Sequence, residues 1–389
     1  MDLIERIDLE TARSGFDGDT CWVHARAGAV PGGGTDGLPR VVMTLQKLLL
    51  SGSDVFYGLH QMRTDDLGGH WRGPDPVEAF ERRLEPGGVE VVVSDFTPAW
   101  HEASGVLLGT GHTPRYLGNR LMPDPRPRQV AYAVYDETTE TWRPWSTLEL
   151  PFPEGAFNAG AGSTQRLDLE DGSILLPVSC KPRSRAAREP HRTVVVRCAF
   201  DGERLSVLEA GTLLTVPEPR GLGEPSLARF GERVFLTMRN DRCAYVATSD
   251  DGLRFGTPRP WRFDDGTELG SANTQSHWVT HPEGLFLVYT RRGADNDHVF
   301  RNRAPLFLAQ VDPEGPVVRR ATERILVPEA GARLGNFGVA AVSDSETWVT
   351  AAEWMQPRGC EVHGSCNRIF VAHIHWRDPI HKGSRDHVG

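Results

Sequence analysis

The sequence predicts an all-β protein assembled from a repeated β unit. Glycine (41) and proline (28) punctuate the 389-residue chain at short intervals. Between them lie short runs rich in Val, Leu, Phe and Thr, which have the length and composition of strands. Helical periodicity is almost absent, and only residues 3–13 and 77–84 suggest short helices. A single sandwich of this length would be oversized, so the pattern favours a radially repeated architecture.

Seven apolar runs give the clearest strand signals along the chain. Most are bracketed by turn-forming residues, as expected for strands joined by tight connections. They lie at residues 41–45, 91–93, 174–178, 193–196, 234–238, 285–290 and 369–374.

Composition excludes several classes of function. With 43 basic and 52 acidic residues the net charge is −9, which argues against a nucleic-acid partner. No apolar run approaches the roughly 20 residues of a membrane-spanning helix, so we expect no membrane partner. The six cysteines show no framework spacing. Residues 1–13 carry acids and no apolar core, so we expect no secretory signal, reduced thiols and a cytoplasmic protein.

Two copies of a turn motif indicate an internal repeat. Residues 64–71 (Thr-Asp-Asp-Leu-Gly-Gly-His-Trp) and 248–255 (Thr-Ser-Asp-Asp-Gly-Leu-Arg-Phe) share the pattern Ser/Thr-x-Asp-x-Gly-x-x-aromatic. Their starts are 184 residues apart, or four units of 46, within the range of propeller blades. A degenerate copy lies at 136–142. The aspartate is expected to accept backbone N–H groups in a tight turn, with glycine supplying positive φ, on the face away from any active site.

These Asp-box repeats and the strand rhythm resemble the sialidase (neuraminidase) superfamily. The resemblance implies a six-bladed β-propeller of four-stranded antiparallel blades, with residues 1–389 forming one domain. It places blades near 38–75, 90–146, 160–206, 222–262, 275–320 and 336–377. It also implies that residues 21–30 close the ring beside the last blade.

The resemblance implies several carboxylate-binding arginines and a central acid or base. Arg40 follows Leu-Pro, much as an arginine opens the first sialidase blade, and a guanidinium fork matches two carboxylate oxygens. Glu224 opens a strand that is followed by Arg239 and then by the second turn motif. By the resemblance Glu224 is a catalytic residue and Arg239 a second substrate-binding arginine.

A dense polar segment around residues 273–298 is the next candidate. Gln275 and His277 precede an apolar strand, and Arg291, Arg292 and His298 follow it. We expect a loop on the funnel side of the propeller, where either arginine is a third substrate-binding residue. Histidines can transfer protons near neutral pH, so His277 is assigned to catalysis, and Gln275 and His298 to substrate binding.

Blade 2 offers further acid–base groups, and the last blade departs from the family pattern. Asp95 is a candidate general acid, and His112 ends an apolar strand beside glycines. Sialidases place a nucleophilic tyrosine at the start of the last blade, where this chain has Asn336 and Phe337. Some non-sialidase propellers that cleave acidic glycans use central histidines instead.

The sequence therefore predicts a sialidase-like, exo-acting glycoside hydrolase on a terminal acidic sugar, with a carbohydrate carrying a carboxylate as its partner. One alternative is a lyase that acts on uronates with a histidine base. A second alternative is a non-catalytic glycan-binding propeller. We expect no cofactor. Residues 360–375 contain two cysteines and three histidines, but their spacing is not that of a known zinc site, so we expect no metal.

Overall fold

The computed structural model describes residues 2–52, 54–152, 154–184, 189–378 and 380. In this part of the chain the strands form seven antiparallel sheets, and there is no α-helix. Six of the sheets are the blades of a six-bladed β-propeller, each with four or five strands, and the seventh is a small additional sheet. Among the described residues, no helix is long and apolar enough to span a membrane.

The strands of blades 1 to 3 follow in order from the innermost outward. Blade 1 contains Thr20–Val30, Arg40–Leu49, Phe56–Thr64 and Arg72–Pro76. Blade 2 contains Ser94–His101, Val106–His112 and Val130–Asp136, with Thr141–Trp142 and Ser146–Leu148 outermost. Blade 3 contains Asn158–Gly160 and Leu167–Asp168 in the innermost position, then Ile174–Lys181, Arg192–Phe200 and Leu205–Ala210.

The remaining blades and the small sheet complete the architecture. Blade 4 contains Gly223–Phe230, Arg233–Arg239, Tyr245–Ser249 and Arg259–Pro260. Blade 5 contains His277–His281, Gly284–Tyr289 and Leu306–Asp312, with Val317–Val318 and Arg324–Val327 outermost. Blade 6 contains Gly338–Ser343, Glu346–Ala352, Ile369–Trp376 and Ile4–Arg13. The small sheet contains Arg83–Glu85, Val89–Val91, Arg115–Leu117 and Arg120–Leu121. Short 3-10 segments lie at Thr35–Gly37, Glu78–Phe80, Phe300–Asn302, Arg320–Thr322 and Cys360–His363.

The ring is closed by a different segment from the one predicted. Residues 21–30 belong to Thr20–Val30, which pairs with Arg40–Leu49 as the innermost strand of blade 1. Closure comes instead from Ile4–Arg13, which pairs with Ile369–Trp376 as the outermost strand of blade 6. Burial explains why Ile4–Arg13 rather than residues 21–30 closes the ring. Thr20–Val30 is buried along nearly its whole length, whereas Ile4–Arg13 is largely exposed, as an edge strand is.

Both helix predictions are wrong. Residues 3–13 form the closing strand, and residues 77–84 form only the 3-10 turn Glu78–Phe80 before the small sheet begins. Helical spacing of apolar residues over a short stretch is a weak signal, and here the pairing of Ile4–Arg13 with its neighbouring strand overrides it.

The turn motifs adopt the predicted hydrogen-bonding geometry. Asp66 Oδ1 accepts the backbone N–H of His70 at 2.8 Å, and Asp251 Oδ1 accepts that of Arg254 at 2.7 Å. Ser249 Oγ also donates to Asp251 Oδ1, at 2.9 Å. The second turn is thus built on Ser249 and Asp251, one residue later than the pattern match indicates. Both turns join the third and fourth strands of a blade.

A buried imidazole ties the closing strand to blade 6. His373 Nδ1 lies 2.6 Å from Glu346 Oε1, and His373 Nε2 lies 2.9 Å from Glu10 Oε2. Glu10 also accepts the indole N–H of Trp71 from blade 1, at 2.6 Å. Burial alone would lower the pKa of His373, but the hydrogen bonds with Glu10 and Glu346 raise it to about 9. The network therefore holds the protonated His373 between two carboxylates at the point where the ring closes.

We expect ring closure to weaken as the pH rises. A folded-state pKa above the ordinary value of 6.5 gives stability that is fully present below pH 6.5 and is lost as the pH rises through about 9. The shift corresponds to about 3 kcal/mol. Denaturant unfolding at pH 6 and pH 9.5 should show this loss, and His373→Gln should abolish most of it. His363→Gln, at an exposed position, is the control. Equal pH dependence in all three proteins would contradict the expectation.

Candidate functional site

One cavity of about 250 Å³ lies where the innermost strands of the blades meet. All six blades, or the loops that leave them, contribute to its wall. The carboxylates and imidazoles on the wall are Asp54, Asp95, Glu224, His112 and His191. The arginines on the wall are Arg126, Arg128, Arg220, Arg239, Arg301, Arg303 and Arg333. Seven guanidinium groups against three carboxylates give the cavity wall an excess of positive charge.

Asp95 is the centre of a buried hydrogen-bond network. Its Oδ1 accepts from Arg26 at 2.9 Å, from Ser163 Oγ at 2.6 Å and from Asn336 Nδ2 at 2.9 Å. His24 Nε2 lies 3.4 Å from the same oxygen. Burial alone would raise the pKa of Asp95, but His24, Arg26 and His112 hold it well below the usual range. Asp95 is therefore ionised, and it joins blades 1, 2, 3 and 6 at the axis.

His112 lies beside Asp95 on the cavity wall. Its Nε2 is 3.6 Å from Asp95 Oδ2. Burial and the nearby Arg128 lower the pKa of His112 to about 3, so the imidazole is neutral at ordinary pH. The ring fits because the turn after the innermost strand Asn158–Gly160 of blade 3 has glycine at position 162, where a Cβ would lie 2.0 Å from His112 Nδ1. The geometry thus presents a neutral imidazole next to a carboxylate.

Glu224 and Arg239 face each other across the first two strands of blade 4. Arg239 is buried and donates to Glu224 Oε1. The second oxygen, Glu224 Oε2, is also buried and has no hydrogen-bond partner among the described residues. The backbone φ of Glu224, 43°, lies in the left-handed region, which is costly for a residue with a side chain. One carboxylate oxygen is thus fixed by the arginine, and the other has no such bond in the part of the chain that the structure describes.

Two further buried arginines donate hydrogen bonds to neutral groups. Arg303, 2% exposed, donates to the carbonyl of Asn273, and Arg333, 5% exposed, donates to Gln356 Oε1 at 3.0 Å. The Arg333 guanidinium also lies 3.9 Å from the ring centre of Trp354. Burial and the neighbouring Arg239 lower the pKa of Arg303 well below its usual range, and burial lowers that of Arg333 to about 10. Both cations would be stabilised by an anionic ligand.

A strained residue recurs once per blade around the axis, in or beside the innermost strand. These residues all have φ between 43° and 61°, and they are His24, Asp95, Ser163, Glu224, Asn273 and Asn336. In blades 1, 2 and 4 this residue sits at a bulge in the innermost strand. A bulge turns a side chain out of the regular alternation, so the fold uses one equivalent position in each blade to aim polar groups at the centre.

The recurrence of this position in every blade was not predicted from the sequence, although two of the six residues share the same following dipeptide. Ser163 and Asn273 are both followed by Thr-Gln. In both Thr-Gln pairs the glutamine links neighbouring parts of the ring near the axis. Gln165 hydrogen-bonds both the N–H and the carbonyl of Trp278, and Gln275 Nε2 donates to the carbonyl of Phe337 at 3.2 Å. Gln275, predicted to bind substrate, is fully buried in this structural role.

Three predicted arginines do not line the cavity. Arg40 begins the second strand of blade 1, opposite Val30 at the far end of the innermost strand, and pairs with Asp65 at 2.7 Å. Arg291 pairs with Glu323 at 2.6 Å, and Arg292 donates to the carbonyl of Arg242 at 2.9 Å. Because blade 1 begins at Thr20 rather than near 38, its central arginine is Arg26.

Two predicted histidines also lie away from the cavity wall. His277 is 1% exposed, hydrogen-bonds Ser226 Oγ through Nδ1 at 2.8 Å and packs against Phe337. Burial and Arg26 lower its pKa to about 3. His298 lies 2.9 Å from Glu329 in a separate pocket with His363. Of the predicted site residues, the structure brings Asp95, His112, Glu224 and Arg239 together.

The start of blade 6 places an amide at the cavity. Asn336 lines the wall, whereas Phe337 is fully buried in the apolar core between blades 5 and 6. No tyrosine is among the described residues that line the cavity. The residue at this position that faces the cavity is therefore Asn336, a neutral hydrogen-bonding group.

No protein-family model and no curated protein matches the chain. Solved structures do resemble it. A protein of unknown function from Dyadobacter fermentans is 14% identical, with a TM-score of 0.68 over 97% of this chain and 100% of that one. Trypanosoma rangeli sialidase in complex with the inhibitor DANA is 12% identical, with a TM-score of 0.63 over 95% of this chain and 60% of that one.

A second sialidase has a similar structure. NanB sialidase from Streptococcus pneumoniae is 9% identical, with a TM-score of 0.60 over 93% of this chain and 70% of that one. The chain thus spans 60 to 70% of the length of these two sialidases. At such identities the likeness shows the fold, which is that of the sialidase propellers.

Proposed function

We propose that this protein is a sialidase-like, exo-acting glycoside hydrolase that binds the terminal acidic sugar of a glycan in the arginine-lined cavity. The observation that supports this most directly is the excess of seven arginines over three carboxylates on the cavity wall. Arg239, Arg303 and Arg333 would bind the carboxylate of the sugar, because planar guanidinium groups match its two oxygens.

Glu224 and His112 would handle the protons. Glu224 Oε1 accepts from Arg239, whereas Glu224 Oε2 has no hydrogen-bond partner among the residues that the structure describes. His112 is neutral and can accept a proton, and the ionised Asp95 at 3.6 Å would orient its ring and stabilise the imidazolium that forms. Asp95 is therefore assigned a positioning role rather than that of a general acid.

The absence of a tyrosine among the cavity residues that the structure describes favours direct attack by water. In such a reaction a water oxygen bonds to the anomeric carbon as the glycosidic C–O bond breaks. His112 would take the proton of the water, and Glu224 would supply a proton to the leaving oxygen. Glu224 and His112, from blades 4 and 2, are the pair proposed for these two transfers.

A lyase acting on uronates is the second candidate, and the neutral His112 favours it. The imidazole would take the proton from the carbon beside the uronate carboxylate. The electron pair then forms a C=C bond as the C–O bond to the leaving sugar breaks, and the leaving oxygen gains a proton. Arginines around the carboxylate would stabilise the enolate-like charge in the transition state.

Product mass spectrometry distinguishes these reactions. The protein is incubated with sialylated and with uronate-containing oligosaccharides. Products whose masses sum to substrate plus water support the hydrolase, and products that sum to the substrate alone, one of them unsaturated, support the lyase. Binding of these glycans without any product would overturn both and favour a glycan-binding propeller.

A further inference from the structure

We propose that the cavity contains a second anion subsite, formed by Arg126, Arg128 and His191, and that the sugar ligand carries two anionic groups. This inference rests on the proposed function, which accounts for the first group, the carboxylate of the terminal sugar. The second group is an acidic substituent on the same glycan, either a sulfate ester or the carboxylate of an adjoining uronate.

The cavity arginines come from two parts of the ring. Arg239, Arg303 and Arg333 come from blades 4, 5 and 6, on the side of Glu224, together with Arg220, which precedes blade 4, and Arg301, which lies in a loop of blade 5. Arg126 and Arg128 come from the segment between the second and third strands of blade 2, and His191 lies at the start of a blade 3 strand. A single carboxylate offers two oxygens with about four lone-pair sites. The first group of arginines is sufficient to occupy them, which leaves the second group without an anion.

Arg128 is the central residue of the second subsite. Its backbone is fixed between blades 2 and 3, because its N–H donates to Phe157 at 3.2 Å and its carbonyl accepts from Ala159 at 2.8 Å. Its Nε is buried and has no hydrogen-bond partner within the described ranges of the chain. Burial and the neighbouring Arg126 lower the pKa of Arg128 to about 10, so it is still charged at neutral pH.

The residues around Arg128 favour pairing of its charge with an anion of the ligand rather than with a carboxylate of the protein. Arg126 Nη1 donates to the carbonyl of Met122 at 2.9 Å, and the carboxylate that pairs with Arg126, Asp124, lies 3.8 Å away and is shared with Lys181 at 3.7 Å. His191 Nδ1 lies 3.2 Å from Ser179 Oγ, and burial together with Arg128 lowers its pKa well below the usual range. The subsite thus combines cations with a neutral imidazole, which suits an anionic group accepting several hydrogen bonds.

Binding measurements with defined sugars test the second subsite. Calorimetry at fixed ionic strength would compare N-acetylneuraminic acid and glucuronic acid, each with one carboxylate, with sulfated glucuronic acid and with digalacturonic acid. We expect at least one of the two dianionic probes to bind about tenfold more tightly than the single-carboxylate probes, as for an added charge-assisted hydrogen bond.

The variant Arg128→Gln should remove this advantage and leave the affinity for single-carboxylate probes unchanged. Arg229→Gln, at an exposed end of the innermost strand of blade 4, is the matched control and should behave as the unmodified protein. Equal affinities for all four probes, or a uniform loss in Arg128→Gln, would overturn the second subsite while the proposed function stands. Failure of every acidic sugar to bind would instead overturn the proposed function, and this inference with it.

Discussion

Replacing Glu224 by glutamine is expected to lower turnover by about 10²- to 10⁴-fold, the usual contribution of a proton-transferring group. Glutamine keeps the shape of the side chain and can still accept a hydrogen bond from Arg239, which is buried beside it. The substitution removes the carboxylate chemistry of Oε2 and also the negative charge that pairs with Arg239. Initial rates on the substrate identified by mass spectrometry, together with the dissociation constant for the same acidic sugar, would measure the effect.

The control for this substitution is Glu232→Gln, at the exposed turn between the first two strands of blade 4. It should keep full turnover. Retained sugar binding with lost turnover in Glu224→Gln is the result that marks an enzyme. Unchanged turnover would remove Glu224 from the mechanism, and an equal loss of binding and turnover would assign it to substrate binding alone.

Replacing Asp95 by asparagine is expected to give the largest loss of stability. Asp95 is the buried counter-charge of Arg26, whose side chain is fully buried and 2.9 Å away. Removing one partner of a buried ion pair leaves the other charge without compensation, which costs about 3–5 kcal/mol. Chemical denaturation followed by intrinsic tryptophan fluorescence would report the change in the free energy of unfolding.

A surface ion pair provides the comparison for this loss. Asp19 lies 3.3 Å from Arg358, and the side chains are 87% and 55% exposed. Asp19→Asn should therefore change the free energy of unfolding by about 1 kcal/mol or less. If Asp95→Asn were as stable as Asp19→Asn, Arg26 would have to be compensated by groups other than Asp95.

The fold was predictable because its signals are local. Glycine and proline spacing, strand-length apolar runs and the turn motif around Asp66 each follow from short-range chemistry. The order of the strands in space was harder to predict. Whether Thr20–Val30 or Ile4–Arg13 closes the ring depends on which one is an edge strand, and that follows from pairing between the two ends of the chain.

The candidate site could be predicted where a residue stood at or beside the start or end of a recognisable strand. Glu224 and Asp95 met that condition, and both line the cavity. Arg40 met it too, but a misplaced blade boundary put it at the wrong end of a strand. Arg303 and Arg333 gave no signal, because nothing in an arginine-rich sequence separates a buried arginine from a surface one.

The all-β class, the repeated turns and the resemblance to sialidases can be predicted from the sequence, since each depends on residues close together in the chain. The set of polar groups that meet at the axis depends on the tertiary structure. His24, Asp95, Ser163 and Asn336 lie in four different blades and come together only when the ring closes. A cavity shared by six blades is a property of their arrangement in space, and no single stretch of sequence encodes it.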